Sequence, residues 1–142
     1  MNTKRTDELH HELKQCESID TYVQENDEYF LRCTLSEYLQ TMIEMRGIKK
    51  PEVVKCSGLD AVYAYQIISG VKENPDRDKL LALAFSLRLD ALHTNRLLHI
   101  GGKSELYPKN RRDSIILFAL KKSMTLYEAD DLLHQFDEKT IQ

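Results

Sequence analysis

No stretch of this sequence approaches the roughly 20 consecutive apolar residues that a bilayer-spanning helix requires. Its opening, Met1-Asn2-Thr3-Lys4-Arg5-Thr6-Asp7-Glu8, has no apolar centre of the kind a secretory signal carries. No membrane association is expected, and a soluble cytoplasmic protein is. The three cysteines, Cys16, Cys33 and Cys56, are odd in number and widely spaced, which points to free thiols in a reducing compartment rather than a disulfide framework. Tryptophan is missing, and only five glycines and three prolines punctuate 142 residues. With so few breakers and little strand-type alternation, an all-α fold is expected. An excess of positive charge is also lacking: the formal net charge is −3, which argues against a strong nonspecific nucleic-acid binder.

Catalytic constellations are missing as well. The five histidines are His10, His11, His93, His99 and His134. None belongs to a set of three or four ligands at metal-site spacing, and His93 and His99, six apart on one expected helix, do not share a face. Gly101-Gly102-Lys103-Ser104 ends like a phosphate loop, but the first glycine of that motif would fall at Leu97 and no strand precedes it. It reads as a helix stop. Asp130-Asp131 are adjacent on a helix and diverge, as on a solvated face. An enzyme is not expected, and neither a cofactor nor a metal.

What is present is concentrated in residues 46–70, Arg46-Gly47-Ile48-Lys49-Lys50-Pro51-Glu52-Val53-Val54-Lys55-Cys56-Ser57-Gly58-Leu59-Asp60-Ala61-Val62-Tyr63-Ala64-Tyr65-Gln66-Ile67-Ile68-Ser69-Gly70. This segment reads as two short helices hinged at Ser57-Gly58. Val53 and Val54 mark the inner face of the first; Ala64, Ile67 and Ile68 mark that of the second, which Gly70 can end in the left-handed conformation. Asp60 is placed to cap the second helix. Two helices joined by a short glycine-containing turn form the pattern whose second helix commonly enters a DNA major groove.

From about Leu35 to Leu98, a little under half of the chain, the sequence resembles the phage-repressor (Xre/Cro) type of helix-turn-helix domain. The resemblance rests on Arg46-Gly47-Ile48 closing the first helix, Val54 at a small apolar position of the second and Gly58-Leu59 at the turn. Ala64 and Ile67 on the buried face of the third helix add to it. So do the loop Val71-Lys72-Glu73-Asn74-Pro75 and the apolar helix that follows it, Lys79 to Leu87. It implies a lambda-repressor-like five-helix bundle over residues 34–100 and a sequence-specific, DNA-binding transcriptional regulator whose third helix enters the major groove. Two positions depart from the family pattern. Lys49 and Lys50 stand where the family usually has a small hydroxyl cap and a phosphate-anchoring Gln. The lost cap costs about 1 kcal/mol, while Pro51 suits helix initiation. The lysine pair reads equally as a phosphate anchor and as solvated surface.

Carried over position by position, the resemblance makes Ala61, Val62, Tyr65 and Gln66 the base-contacting residues, and Lys49, Lys50, Lys72 and Arg77 the phosphate contacts. Gln can bridge adenine N6 and N7, and Ala or Val can meet the thymine methyl. No arginine is placed to read guanine, so a modest, A·T-leaning preference is implied. Between Arg46 and Lys72 five cations stand against two anions, Glu52 and Asp60, a locally basic face on an acidic chain. The thin readout chemistry and the acidic total keep a second reading open: a protein-protein interaction module that retains the fold without binding DNA. A positive potential over the third helix would favour the first reading, a neutral or negative one the second.

The remaining chain is expected to form an N-terminal helical extension (1–33) and a C-terminal helical pair (101–142). In the former, 3–16 is amphipathic through Leu9 and Leu13, and Ile19 to Phe30 is a weaker helix. Thr34 with Glu37, Asn110 with Asp113 and Thr125 with Glu128 supply capping patterns, and Ala91 to Ile100 forms a further helix. Ile115, Ile116, Phe118, Leu132, Leu133 and Phe136 would serve a homodimer, a protein partner or the core of the same chain. Lys109-Asn110-Arg111-Arg112 is a second basic cluster, open to a phosphate, to salt bridges or to solvent. No internal repeat and no low-complexity linker is apparent.

Overall fold

The computed structural model describes residues 33–142. The helices expected at 3–16 and 19–30, the arm they would form and Cys16 lie outside that range. Thr34–Gln142 forms one compact unit, built among the described residues from seven helices and no strand.

Five of the seven helices, all but those starting at Lys50 and Arg77, begin where a side chain accepts from a free backbone N–H. Thr34 opens α1 (Leu35–Arg46) by accepting from the Glu37 N–H at 3.1 Å, and Gly47 (φ 66°) ends it. Pro51 sits in the first turn of α2 (Lys50–Ser57), whose N-cap residue Lys49 makes no side-chain cap bond. Asp60 Oδ2 caps α3 (Ala61–Ser69) through the Tyr63 N–H at 3.1 Å. Asp76 precedes α4 (Arg77–Ser86). Asp90 caps α5 (Ala91–Ile100), Asn110 caps α6 (Arg111–Lys121), and Thr125 with Glu128 closes a reciprocal capping box on α7 (Leu126–Gln135). Each such cap contributes about 1 kcal/mol.

The core sits around α4, which is buried continuously from Leu80 to Ser86. Every fully buried leucine there contributes roughly 2 kcal/mol through removal of apolar surface from water. Against α4 lie α2, carrying Val53 and Val54, and α5, carrying Leu97 and Leu98. Helix α1 bridges α3 and α5. Ser86 Oγ donates to the Val53 carbonyl, and the Tyr38 hydroxyl to the His93 carbonyl at 3.3 Å.

Contrary to the absence of a repeat in the sequence reading, residues 77–107 and 112–142 are two copies of one helical hairpin, offset by thirty-five residues (Arg77 matching Arg112). Their irregular bonds match one for one. Leu89 N–H reaches Ala84 O, and Met124 N–H reaches Ala119 O, both at 3.0 Å. Lys103 N–H reaches Leu98 O at 2.8 Å, and Glu138 N–H reaches Leu133 O at 2.9 Å. Asn95 Oδ1 accepts from Leu106 N–H, and Asp130 Oδ1 from Ile141 N–H. The non-glycine residues with left-handed backbone match too, Arg88 with Ser123 (φ 56° and 55°); Gly102 (φ 73°) corresponds to Asp137 (φ 56°). The repeat escapes the eye because few identities survive: Arg77/Arg112, Asp78/Asp113, Ala84/Ala119 and Leu97-Leu98-His99/Leu132-Leu133-His134.

The two hairpins pack reciprocally, α4 on α7 and α5 on α6. Arg77 of the first grips Asp113 of the second with two bonds of 2.9 Å, and Arg112 of the second grips Asp78 of the first at 3.0 Å. Exchange of equivalent residues is the signature of a twofold relation, so an approximate dyad runs between the starts of α4 and α6. Each arginine also closes its own hairpin: Arg77 onto the carbonyls of Ser104 and Glu105, Arg112 onto those of Lys139 and Thr140. Residues 101–142 therefore share one packed unit with α1–α5 instead of trailing from it.

Candidate nucleic-acid interface

Helices α2 and α3 are joined by Gly58-Leu59-Asp60. Gly58 has φ 69°, a conformation that costs side-chain-bearing residues about 1 kcal/mol or more. A Cβ there would first meet the end of the exposed Gln142 side chain, which donates from Nε2 to the Gly58 carbonyl, so it is the left-handed backbone that calls for glycine. Ser57, fully buried, turns its hydroxyl back to Val54 O at 2.7 Å and accepts from Leu59 N–H at 3.2 Å. The turn is thus fixed by glycine, a local hydroxyl bridge and the Asp60 cap.

This rigid turn presents α3 with one face in the core and one outside. Ala64, Ile67 and Ile68 are buried; Ala61 and Tyr65 are exposed, Val62 is 65% exposed and Gln66 is half-buried. The four expected base-reading residues therefore sit together on the outward side of one helix. Gly70 (φ 93°) closes α3, and Lys72 N–H returns to Gln66 O at 3.0 Å, keeping the exposed Lys72 alongside. Lys49 and Lys50 are exposed at the head of α2. Asp60 is committed as the cap, so its carboxylate is tied to the backbone.

Arg77 departs from its expected place as a phosphate contact. Of the five N–H donors a guanidinium has, four are engaged within the chain, by Asp113 twice and by the Ser104 and Glu105 carbonyls. The side chain is 22% exposed. It is a structural clasp, and the missed signal was a partner thirty-six positions away. The second basic cluster is likewise drawn into the fold: Arg112 holds Asp78, while Arg111 pairs with Glu138 at 3.4 Å and covers the Phe136 ring at 6.0 Å.

Asp113 shows the electrostatics of the clasp most clearly. Burial pushes its carboxyl up, but the Arg77 hydrogen bonds, the Tyr107 N–H and the Arg77 and Arg112 charges together bring it below the usual carboxylate value. Beside the turn lies an open cleft of about 740 Å³ bordered by Asp60, Tyr63, Asp78, Lys79, Arg112 and Ile141. Nothing in the sequence placed Ile141 and Gln142 there, since their partners are distant in the chain. Among the described residues no group of three His, Cys, Asp or Glu side chains converges to hold a metal ion. No described helix is long and apolar enough to cross a membrane. Comparison with protein-family models, with curated proteins and with solved structures finds no match for this chain.

Proposed function

We propose that this protein is a sequence-specific DNA-binding transcriptional regulator of the cytoplasm, not an enzyme, with α1–α5 arranged as a repressor-like helix-turn-helix bundle and α3 entering the major groove. The observation that carries the reading is the outward face of α3, where Ala61, Val62, Tyr65 and Gln66 are presented from a helix capped at both ends and backed by buried Ala64, Ile67 and Ile68. A base-reading helix needs that rigidity, because hydrogen bonds to base edges tolerate little displacement. Lys49 and Lys50 before it and Lys72 after it supply cations that engage phosphate and set register. Arg77 plays no part in that contact.

A second reading is supported by exposed apolar side chains around α3. Val62, Tyr65 and Val71 are 65%, 38% and 68% exposed, with Asp60, Glu73 and Asp76 as acidic neighbours in sequence. A protein partner would suit that surface. Selection of bound duplexes from a random DNA library, at moderate salt and with nonspecific competitor, separates the two. An enriched motif supports the regulator, and salt-sensitive background alone supports the protein-interaction module.

A further inference from the structure

Among the described residues, the second hairpin leaves open a face that its twin keeps covered. In the first, Leu80, Leu83, Leu87 and Leu97 are fully buried, with α2 lying on α4 and α1 on α5. Their counterparts thirty-five residues on are Ile115 and Leu132, half-buried, and Phe118 and Lys122, exposed. Gly101, buried in the first hairpin, becomes Phe136 in the second. Phe118 and Phe136 are each 47% exposed, with the Lys122 ammonium 5.7 Å from the Phe118 ring and Arg111 over Phe136. Phe and Arg are among the residue types enriched at protein interfaces, and a lysine such as Lys122 suits the solvated rim of one.

We propose that this α6–α7 face pairs with the same face of a second copy of the chain. A twofold interface must be complementary to itself, and the charges here are sorted for that. The cations Arg111 (also paired with Glu138) and Lys121 are on α6 with Lys122 as its C-cap, and the anions Glu128 and Asp131 are on α7. Pairing about a dyad lays α6 of one copy along α7 of the other, so cations meet anions along both helix pairs, whereas α6 on α6 would set lysines against lysines. The chain already packs in this manner internally, where its two hairpins meet helix-crosswise with Arg–Asp pairs exchanged across a dyad. The pairing does not depend on DNA binding.

Sedimentation velocity on the full chain, without DNA and over a concentration series, tests it. The expected result is a concentration-dependent dimer whose dissociation constant rises roughly 30-fold or more in Phe118→Asp or Phe136→Asp, as for interface hot spots. Helical circular dichroism should be unchanged, since both rings are half outside the core. Lys121→Glu with Lys122→Glu in one variant, and Asp131→Lys in another, should each self-associate weakly, and mixing the two should restore association. A wild-type chain that stays monomeric at every concentration overturns the proposal. So does a dimer indifferent to Phe118→Asp, or a mixture that fails to recover.

Discussion

Removing the carboxylate of Asp113 should cost far more stability than removing that of its twin, Asp78. The two occupy equivalent positions in the repeat but differ in surroundings. Asp113 is 8% exposed at its side chain, receives both Nη groups of Arg77 at 2.9 Å, and accepts from Tyr107 N–H at 3.0 Å. Asp78 is 21% exposed, takes one bond from Arg112 at 3.0 Å, and has a second cation only in the 80%-exposed Lys139 at 3.5 Å. Taking one partner from a fully buried ion pair costs ~3–5 kcal/mol. Arg77 keeps some water at 22% exposure, which lowers the expectation for Asp113→Ala to about 2–3 kcal/mol, against ~1 kcal/mol for Asp78→Ala. Urea denaturation of wild type, both single variants and the double variant in each pair (with Arg77→Ala and Arg112→Ala) gives the coupling energies. An Arg77–Asp113 coupling no larger than that of Arg112–Asp78 would show that the extra burial and bonds of Asp113 add nothing to stability. The pH dependence adds a check of sign. The folded-state pKa of Asp113 lies below its ordinary value of 3.8, so its contribution is full above that value and is lost as pH falls through the folded pKa. The stability gap between wild type and Asp113→Ala should hold steady at neutral pH and narrow below about pH 4.

Three further outcomes follow from the same structure. Thr94 is fully buried with an unpartnered hydroxyl, while its counterpart is the fully buried Ala129; Thr94→Val should raise stability by about 1 kcal/mol in urea denaturation, and a loss would show that the hydroxyl is satisfied in solution. Lys49→Ala with Lys50→Ala should weaken DNA binding alike for all sequences and reduce the salt slope by about 2 in a titration against potassium chloride; an unchanged slope removes both from the phosphate contacts. Gln66→Ala should flatten base preference in a repeated duplex selection more than it lowers affinity, and an unaltered motif would mean that Gln66 reads no base.

Local chemistry was legible in the sequence because its partners are three or four residues apart. Thr34, Asp60, Asn110 and Thr125 each announced a helix start, and each side chain accepts from the backbone three residues on. The inward set of α3 was legible for the same reason: Ala64, Ile67 and Ile68 follow the helical period. Arg77 was misplaced because its position along the chain matched a phosphate-contacting loop, whereas its function is set by Asp113, which only folding brings near. The approach of Gln142 to Gly58, eighty-four positions apart, left no trace in either segment.

The repeat was hidden for a different reason: a backbone can be kept by side chains that share a role without sharing identity. Asp90 and Thr125 both cap, Asn95 and Asp130 both accept from the closing loop, and Arg88 and Ser123 both adopt the left-handed turn. With the backbone common, a change from apolar to charged or from small to aromatic is to be read against the burial of the two positions. Ser86, bonded to Val53 of α2, and the fully buried Leu87 correspond to Lys121 and Lys122, which are exposed; that change is what solvent would ask for. Leu83 and Gly101 correspond to Phe118 and Phe136, and that change runs the other way, placing larger apolar groups where no described helix covers them. A helix pair meant only for water has no use for two half-exposed rings, since exposed apolar surface carries an aggregation risk unless something covers it. Lysines at the rim with rings between them are the composition of a contact that forms and separates, and for that reason the second hairpin is the part of this fold to probe for self-association.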